Sequence, residues 1–257
     1  MVLVIDIGNT NMEFGIYDGE TLVDAFRLGS KRDISSDEVG LFATQFFEHR
    51  HIPMSAVENV VIGSVVPQLN YSITSAVKKY FGLEPYIIGE NLPCRMPNLY
   101  ENPKEVGVDR LVDSYAAVRK YGAPIIIVDF GTATTCEAVS AKGEYLGGLI
   151  YPGIKVSMDS LYEKASKLPK IELVKPAMTI GKNTVSSMQS GAYFGYLGAT
   201  ERMVKSLKEL LGEDTKVVAT GGFSRLFENE TGLFDYIDQR LPLDGIRMVF
   251  EDRPKDI

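Results

Sequence analysis

Cysteine, histidine and long apolar runs are scarce in this chain, and each scarcity closes off a class of protein. Cys94 and Cys136 lie far apart among 257 residues, and two cysteines make no zinc-ligand spacing. His49 and His51 flank Arg50 at a predicted helix end, where they read as a solvated C-terminal turn rather than as metal ligands. No uninterrupted run of about 18 apolar residues occurs, so no membrane span is predicted. The N-terminus enters a strand pattern directly, without a basic flank or cleavage site, so no signal peptide is expected. Runs of lysine and arginine are also missing and the net charge is −7, which argues against an extended nucleic-acid surface. An acidic chain can still hold an anion locally, because backbone N–H groups and a metal ion supply the field there. The 45% apolar content is that of an ordinary globular protein, expected in a reducing cytoplasm, and the length suits one large domain or two smaller ones.

What the chain does have is a matched pair of short stretches. Val4-Ile5-Asp6-Ile7-Gly8-Asn9-Thr10-Asn11 opens it, and Ile127-Val128-Asp129-Phe130-Gly131-Thr132-Ala133-Thr134-Thr135 stands near its middle. Each is an apolar β-type run ending in Asp-x-Gly, then a turn rich in hydroxyls or amides, then a second apolar run. A carboxylate at the end of a buried strand is costly unless it is paired or bound to a cation. The neighbouring glycine lets the backbone turn sharply and approach a ligand, and the N–H groups that follow can converge on phosphate. One Asp-x-Gly is an ordinary turn signal; two in matching contexts point to a duplicated ligand site.

The rest of the chain fits that duplication. Strands are predicted at Val2–Ile7, Met12–Tyr17 and Thr21–Leu28, with Asp18-Gly19 as a hairpin turn. Ser35 to Glu38 has capping-box spacing before a helix that ends near His51. A buried strand at Val57–Ser64, a break at Val65-Val66-Pro67, a helix from Leu69 to Tyr80 and a short strand at Pro85–Ile88 complete a mixed α/β layer. Glu90 to Val106 is a proline-bearing loop with Tyr100 in it, and a loop of that length is usually functional or disordered. It runs into Gly107-Val108-Asp109-Arg110 and a helix to Tyr121. Asp109 can be a helix cap, but an arginine beside it is unexpected at that end of a helix dipole. Three further strands follow at Ile125–Val128, Thr135–Ala141 and Tyr145–Ile150, so Asp129 repeats Asp6 and Gly131 repeats Gly8. After them come a helix at Ile154–Lys164, an irregular stretch to Gly181, and a long helix from Thr184 to Leu211. The first half of that helix is rich in small residues (Gly191, Gly195, Gly198, Ala199), which permits close approach by another helix or subunit. A strand at Lys216–Ala219, Thr220-Gly221-Gly222 with a helix after it, an apolar stretch Leu241–Phe250 and a polar tail close the chain.

Two halves with an Asp-x-Gly loop each, plus a late strand-Thr-Gly-Gly turn, resemble the actin/Hsp70/sugar-kinase superfamily. The resemblance implies an α/β fold of two duplicated actin-like (ribonuclease H-like) domains, with mixed sheets flanked by helices, at 1–115 and 116–257. A P-loop is excluded, since Pro176 stands where its first glycine belongs ahead of Gly181-Lys182-Asn183-Thr184. Within the superfamily, Asp6-Ile7-Gly8-Asn9-Thr10-Asn11, Gly107-Val108-Asp109-Arg110 and Asp129-Phe130-Gly131-Thr132-Ala133-Thr134-Thr135 together resemble type III pantothenate kinase, and the likeness covers essentially the whole chain. It implies ATP-dependent phosphorylation of the primary hydroxyl of pantothenate, the first step of coenzyme A biosynthesis. By that resemblance Asp6, Ile7, Gly8, Asn9, Thr10, Asn11, Met12 and Glu13 would wrap the ATP phosphates, with Asp6 toward Mg²⁺ through water. Thr132, Gly221 and Gly222 would also meet ATP. Asp109 would accept the substrate proton, and Tyr100, Gly107, Val108, Arg110 and Thr184 would join it in holding pantothenate. Asp129 would take a monovalent cation, K⁺ or NH₄⁺, and the small-residue helix would form a homodimer. Glu137 departs from the family, in which Asp is common at that position.

Two rival readings remain open at this point. A superfamily kinase for a sugar or a carboxylate would share both Asp-x-Gly loops but not the Gly-Val-Asp-Arg tetrad. A transcription-accessory role would need DNA contact, for which no basic or helix-turn-helix pattern is present.

Overall fold

The structure is a computed structural model that describes residues 1–230 and 232–254. Its strands in chain order are β1 (Val2–Ile7), β2 (Asn11–Asp18), β3 (Thr21–Gly29), β4 (Asn59–Ser64), β5 (Tyr86–Ile87), β6 (Ile125–Phe130), β7 (Ala133–Val139), β8 (Tyr145–Pro152), β9 (Lys216–Thr220) and β10 (Tyr236–Ile237). The helices are α1 (Ser36–His49), α2 (Pro67–Ala76), α3 (Val108–Tyr121), α4 (Ile154–Lys164), α5 (Thr184–Leu211) and α6 (Leu241–Glu251). The chain divides into two compact units, one of Met1–Met96, Asn102–Ala116 and the residues from Arg240 on, the other of Pro97–Glu101 and Ala117–Gln239.

The first unit is built on a five-stranded sheet of order β3-β2-β1-β4-β5. β1 pairs antiparallel with β2 and parallel with β4, so it runs through the middle of the sheet. That position demands apolar side chains on both faces, and Leu3, Val4, Ile5 and Ile7 are fully buried. One face packs Leu3, Ile5, Ile7 and Phe14 against Val39 and Phe47 of α1 and Leu69 and Ile73 of α2. The capping box forms at Ser35, whose hydroxyl accepts the Glu38 N–H at 3.2 Å while Glu38 accepts the Ser35 N–H at 2.8 Å. Pro67, expected as a breaker, is instead the first residue of α2, where its fixed φ suits a helix start.

The opposite face of this sheet is covered by α6. Val4, Tyr17 and Val61 pack with Leu243, Ile246, Val249 and Phe250, and Val112 of α3 joins them. The apolar stretch Leu241–Phe250 therefore packs in the first unit, whereas its place in the sequence puts it with the second half. Its apolar side is answered by residues more than one hundred and thirty positions earlier, and by Val4 and Tyr17 more than two hundred earlier, a pairing that no local pattern reports. A buried polar contact fixes the docking: the Tyr17 hydroxyl donates to Asp244 Oδ1 at 2.7 Å, and the Arg247 guanidinium lies 5.5 Å over the Tyr17 ring.

The second unit repeats the plan. Its sheet has the order β10-β9-β6-β7-β8, and β6 pairs antiparallel with β7 and parallel with β9. Read from the other edge, this is the order of the first sheet, strand for strand. Ile126, Val128 and Phe130 pack on Tyr193, Tyr196, Leu197 and Val204 of α5. The chain passes into this unit within α3, after Ala116. Two details differ from expectation. β10 has only two residues and no periodicity to announce it. After Gly222 there is a single 3-10 turn, Ser224–Phe227, rather than a helix, because the Ser224 hydroxyl and N–H both bond back to the Gly221 carbonyl, at 2.8 and 3.1 Å. The polar tail at 255–257 lies outside the described residues.

Replacing Tyr17 by Phe removes one hydroxyl donor from the buried Asp244 carboxylate, and denaturant unfolding should show a loss of about 1–3 kcal/mol. Burial, and then the bond to Asp244, push the Tyr17 hydroxyl up from its ordinary 10.0. The wild type thus keeps this contribution below pH 10.0 and loses it as pH rises beyond, and the Phe variant should lack that part of the alkaline decline.

Candidate active site

In the first unit, Asp6 is the fifth residue of β1 and is half-buried. The turn after it is closed by a bond from the Gly8 N–H to the Asn11 carbonyl at 3.0 Å. Ser30 ties it from outside, its hydroxyl donating to the Gly8 carbonyl at 2.6 Å and its N–H to the Thr10 carbonyl at 3.0 Å. Asn9, Thr10 and Asn11 are exposed, while Ile7 and Met12 point into the core, so those two can meet a ligand only through their backbone. Glu13 stands across from Asp6 and is held by Arg27 at 2.9 Å.

The Gly107-Val108-Asp109-Arg110 motif sits beside this turn. The Val65 N–H bonds the Ile7 carbonyl at 3.1 Å, and a Cβ on Gly107 would lie 3.6 Å from the Val65 side chain. Val108 packs beside Gly63 and Gly89, a Cβ on either lying in ordinary contact at 3.8 or 3.6 Å from its methyl groups. These contacts set the start of α3 at the carboxyl ends of the parallel strands β1 and β4, the end at which such sheets bind ligands. α3 begins at Val108, so Asp109 lies inside the first turn rather than at the cap. Its Oδ1 accepts the Arg110 N–H at 2.7 Å, and a Cβ on Gly107 would come within 2.4 Å of that oxygen. Glycine at 107 is therefore what allows the carboxylate to fold back over the helix end, where backbone N–H groups favour negative charge.

In the second unit, Asp129 is again the fifth residue of its strand. Its carboxylate lies between two glycines: a Cβ on Gly131 would be 3.1 Å from Oδ2, and one on Gly221 only 2.2 Å from Oδ1. Gly221 has φ +85, so both backbone and space require glycine there. Gly222 has open space where its Cβ would be, which leaves its backbone accessible. Thr132 is exposed in the turn, and its carbonyl accepts the Gly153 N–H at 3.1 Å. Thr220 lies beside Asp129 on β9, fully buried, with no hydrogen-bond partner on its hydroxyl. The strand-Thr-Gly-Gly pattern marks the residue, but only register shows that it stands across from Asp129.

Tyr100 belongs to the second unit through an added edge. Asn98 bridges to Tyr145 in parallel, the Leu99 N–H bonds the Tyr145 carbonyl at 2.9 Å, and the Tyr145 N–H bonds the Pro97 carbonyl at 2.8 Å. The Tyr100 ring then lies over Gly147, 3.3 Å from where a Cβ would be. Thr184 is the exposed first residue of α5, after a capping box between Asn183 and Ser186.

Two mixed sheets of one topology, each with an Asp-x-Gly turn at the end of its central strand, define an actin-like kinase fold. A candidate 2-dehydro-3-deoxygalactonokinase from Sinorhizobium meliloti has this fold, with a TM-score of 0.63 at 10% identity, over 98% of this chain and 96% of that one. The sequence narrows the class further. Residues 2–206 match the type III pantothenate kinase family. A type III pantothenate kinase of Exiguobacterium sp. strain AT1b is 42% identical over 255 residues, which is 99% of this chain and 100% of the relative. One of Halalkalibacterium halodurans is 43% identical over 251 residues, covering 98% and 99%. The chain belongs to the type III pantothenate kinase family.

The two glycines around Asp129 separate by substitution. Gly221→Ala forces a left-handed backbone on a residue with a Cβ, costing about 1–2 kcal/mol before any clash, and it displaces the carboxylate. Gly131→Ala meets only the looser 3.1 Å contact. Thermal melts should show a clearly larger drop for Gly221→Ala than for Gly131→Ala.

Proposed function

We propose that this protein transfers the γ-phosphoryl group of ATP to the primary hydroxyl of pantothenate, as the first step toward coenzyme A. The observation that carries the reading is the seating of Asp109 and Arg110 at the carboxyl ends of β1 and β4, next to the Asp6 turn. Phosphoryl transfer asks for positioning and neutralisation of charge rather than covalent chemistry by the protein. The backbone of residues 6–13, with the exposed Asn9, Thr10 and Asn11, surrounds the phosphates. Thr132 and the open backbone at Gly221 and Gly222 take the remainder of the nucleotide. Arg110 holds the carboxylate of pantothenate, for which a guanidinium is well suited, with Gly107 and Val108 beside it, and Tyr100 and Thr184 are read from the family resemblance as further pantothenate contacts. The pantothenate oxygen bonds to the γ-phosphorus as the bridging bond to ADP breaks, and its proton passes to Asp109.

Two ions belong to this reading. The Asp6 carboxylate suits Mg²⁺, which takes few protein ligands and the rest from phosphate and water; when bound it would neutralise phosphate charge. Asp129, with the unpartnered Thr220 hydroxyl beside it, offers oxygen ligands suited to K⁺ or NH₄⁺. Both cysteines are free thiols, as befits an enzyme of the reducing cytoplasm.

The second copy in a homodimer is read from α5. A Cβ at Gly191, Gly195 or Gly198 would meet nothing within 4 Å, so among the described residues no helix or strand needs those glycines. Phe194, Val185, Leu149, Ile150 and Tyr151 are exposed apolar residues of the same unit. Each glycine costs about 1 kcal/mol against alanine in a helix, a cost that close packing by a twofold-related helix offsets.

A coupled assay with ATP and pantothenate, run in K⁺ and in Na⁺ at equal ionic strength, tests the function; no transfer to pantothenate in either salt refutes it. Asp109→Asn should lower kcat by about 10²–10⁴-fold while the melting temperature stays near wild type. Gly195→Trp has room within its own chain, so it should stay folded but turn from dimer to monomer in light scattering; a native monomer at micromolar concentration rules the dimer out.

A further inference from the structure

Glu137 lies in the interior of β7, with 1% of its surface exposed, and none of the roles above uses it. A buried carboxylate must be satisfied by donors. Tyr145, itself fully buried, donates its hydroxyl to Glu137 Oε2 at 2.6 Å. The length of the glutamate side chain is accommodated by Gly148, directly across on β8. A Cβ there would stand 2.7 Å from Oε2 and 2.2 Å from the Cys136 carbonyl. Glutamate at 137, glycine at 148 and tyrosine at 145 thus form one fitted set.

Tyr145 is also the residue on which the segment Pro97–Glu101 is hung. Both of its backbone hydrogen bonds to that segment, donated to the Pro97 carbonyl and accepted from the Leu99 N–H, lie within three residues of Tyr100. The two tyrosine rings stand with centroids 6.4 Å apart, and Tyr100 rests on Gly147, whose φ of +116 closes to a residue with a Cβ the place it occupies. The path from Glu137 to Tyr145 to the 97–101 segment to Tyr100 is continuous and lies within one unit.

We propose that Glu137 is a positioning residue for pantothenate: through the Tyr145 hydroxyl it fixes the strand edge that presents Tyr100 to the substrate. The proposal rests on the pantothenate reading of Tyr100. Glu137→Asp withdraws the carboxylate by one methylene, and Tyr145→Phe removes only the hydroxyl. Each should raise KM for pantothenate about tenfold, the scale of one lost hydrogen bond, with kcat and KM for ATP changed by no more than about twofold. In a Tyr100→Ala background neither change should raise KM further, since the residue being positioned is gone. Should Glu137→Asp not fold, Tyr145→Phe carries the same test.

Three results would overturn the proposal: an unchanged pantothenate KM in a folded variant, a loss confined to kcat, or effects that multiply with Tyr100→Ala as independent sites do. Wild-type turnover is measured beside them. Wild-type transfer to pantothenate with an indifferent Glu137→Asp removes the positioning role alone, whereas no wild-type transfer removes the substrate reading on which it stands.

Discussion

A carboxylate at the end of a buried central strand is the constraint on which the rest of this molecule depends. Such a group is stable only if donors or a cation meet it, and the chain arranges for that twice. Around Asp129 the arrangement is steric: Gly131 and Gly221 both give up a side chain to make room, and Gly221 accepts a backbone conformation that other residues resist. Around Asp6 it is a matter of anchoring, with Ser30 holding the following turn through two hydrogen bonds. The strands to either side are ordinary apolar β-structure. Their common topology delivers each carboxylate to the same end of its sheet, where the backbone is free to turn toward a ligand.

The two units divide the chemistry unequally. The first carries a carboxylate and a guanidinium side by side in the first turn of α3, Asp109 and Arg110, with the Arg110 N–H bonded to Asp109 Oδ1. Val108 packs beside Gly63 and Gly89, and Gly107 leaves space for the Asp109 carboxylate. A methyl group at Gly107 would meet that carboxylate oxygen at 2.4 Å and displace it. The second unit contributes turns and an added edge rather than a helix start. Its Tyr100 arrives from the loop that precedes α3, held there by backbone bonds to Tyr145.

Much of this was legible before any coordinates. The repeat of three strands around Asp6 and Asp129, the capping box at Ser35 and the long helix from Thr184 all follow from local periodicity and spacing, and they stand where expected. The functional motifs were legible for a different reason: their glycines and acids are spaced by the geometry of a turn, which a sequence displays directly. What stayed hidden depends on contacts between distant positions. β10 is too short to show a period, and the docking of α6 on Tyr17 and Val4 pairs opposite ends of the chain. The role of Thr220 beside Asp129, and the partnership of Glu137 with Tyr145 and Gly148, come from register across strands. Register is set by the whole sheet.

The docking of α6 also bears on the order in which the protein can take shape during synthesis. The second unit is nearly continuous in the chain, and its core is complete once residue 239 has left the ribosome. The first unit is not: one face of its sheet is covered by Leu243, Ile246, Val249 and Phe250. That face is completed only when α6 has emerged, after every other described helix and strand. The unit whose sheet begins at β1 thus depends on α6, the last helix described, for the packing of Val4, Tyr17 and Val61 on Leu243, Ile246, Val249 and Phe250.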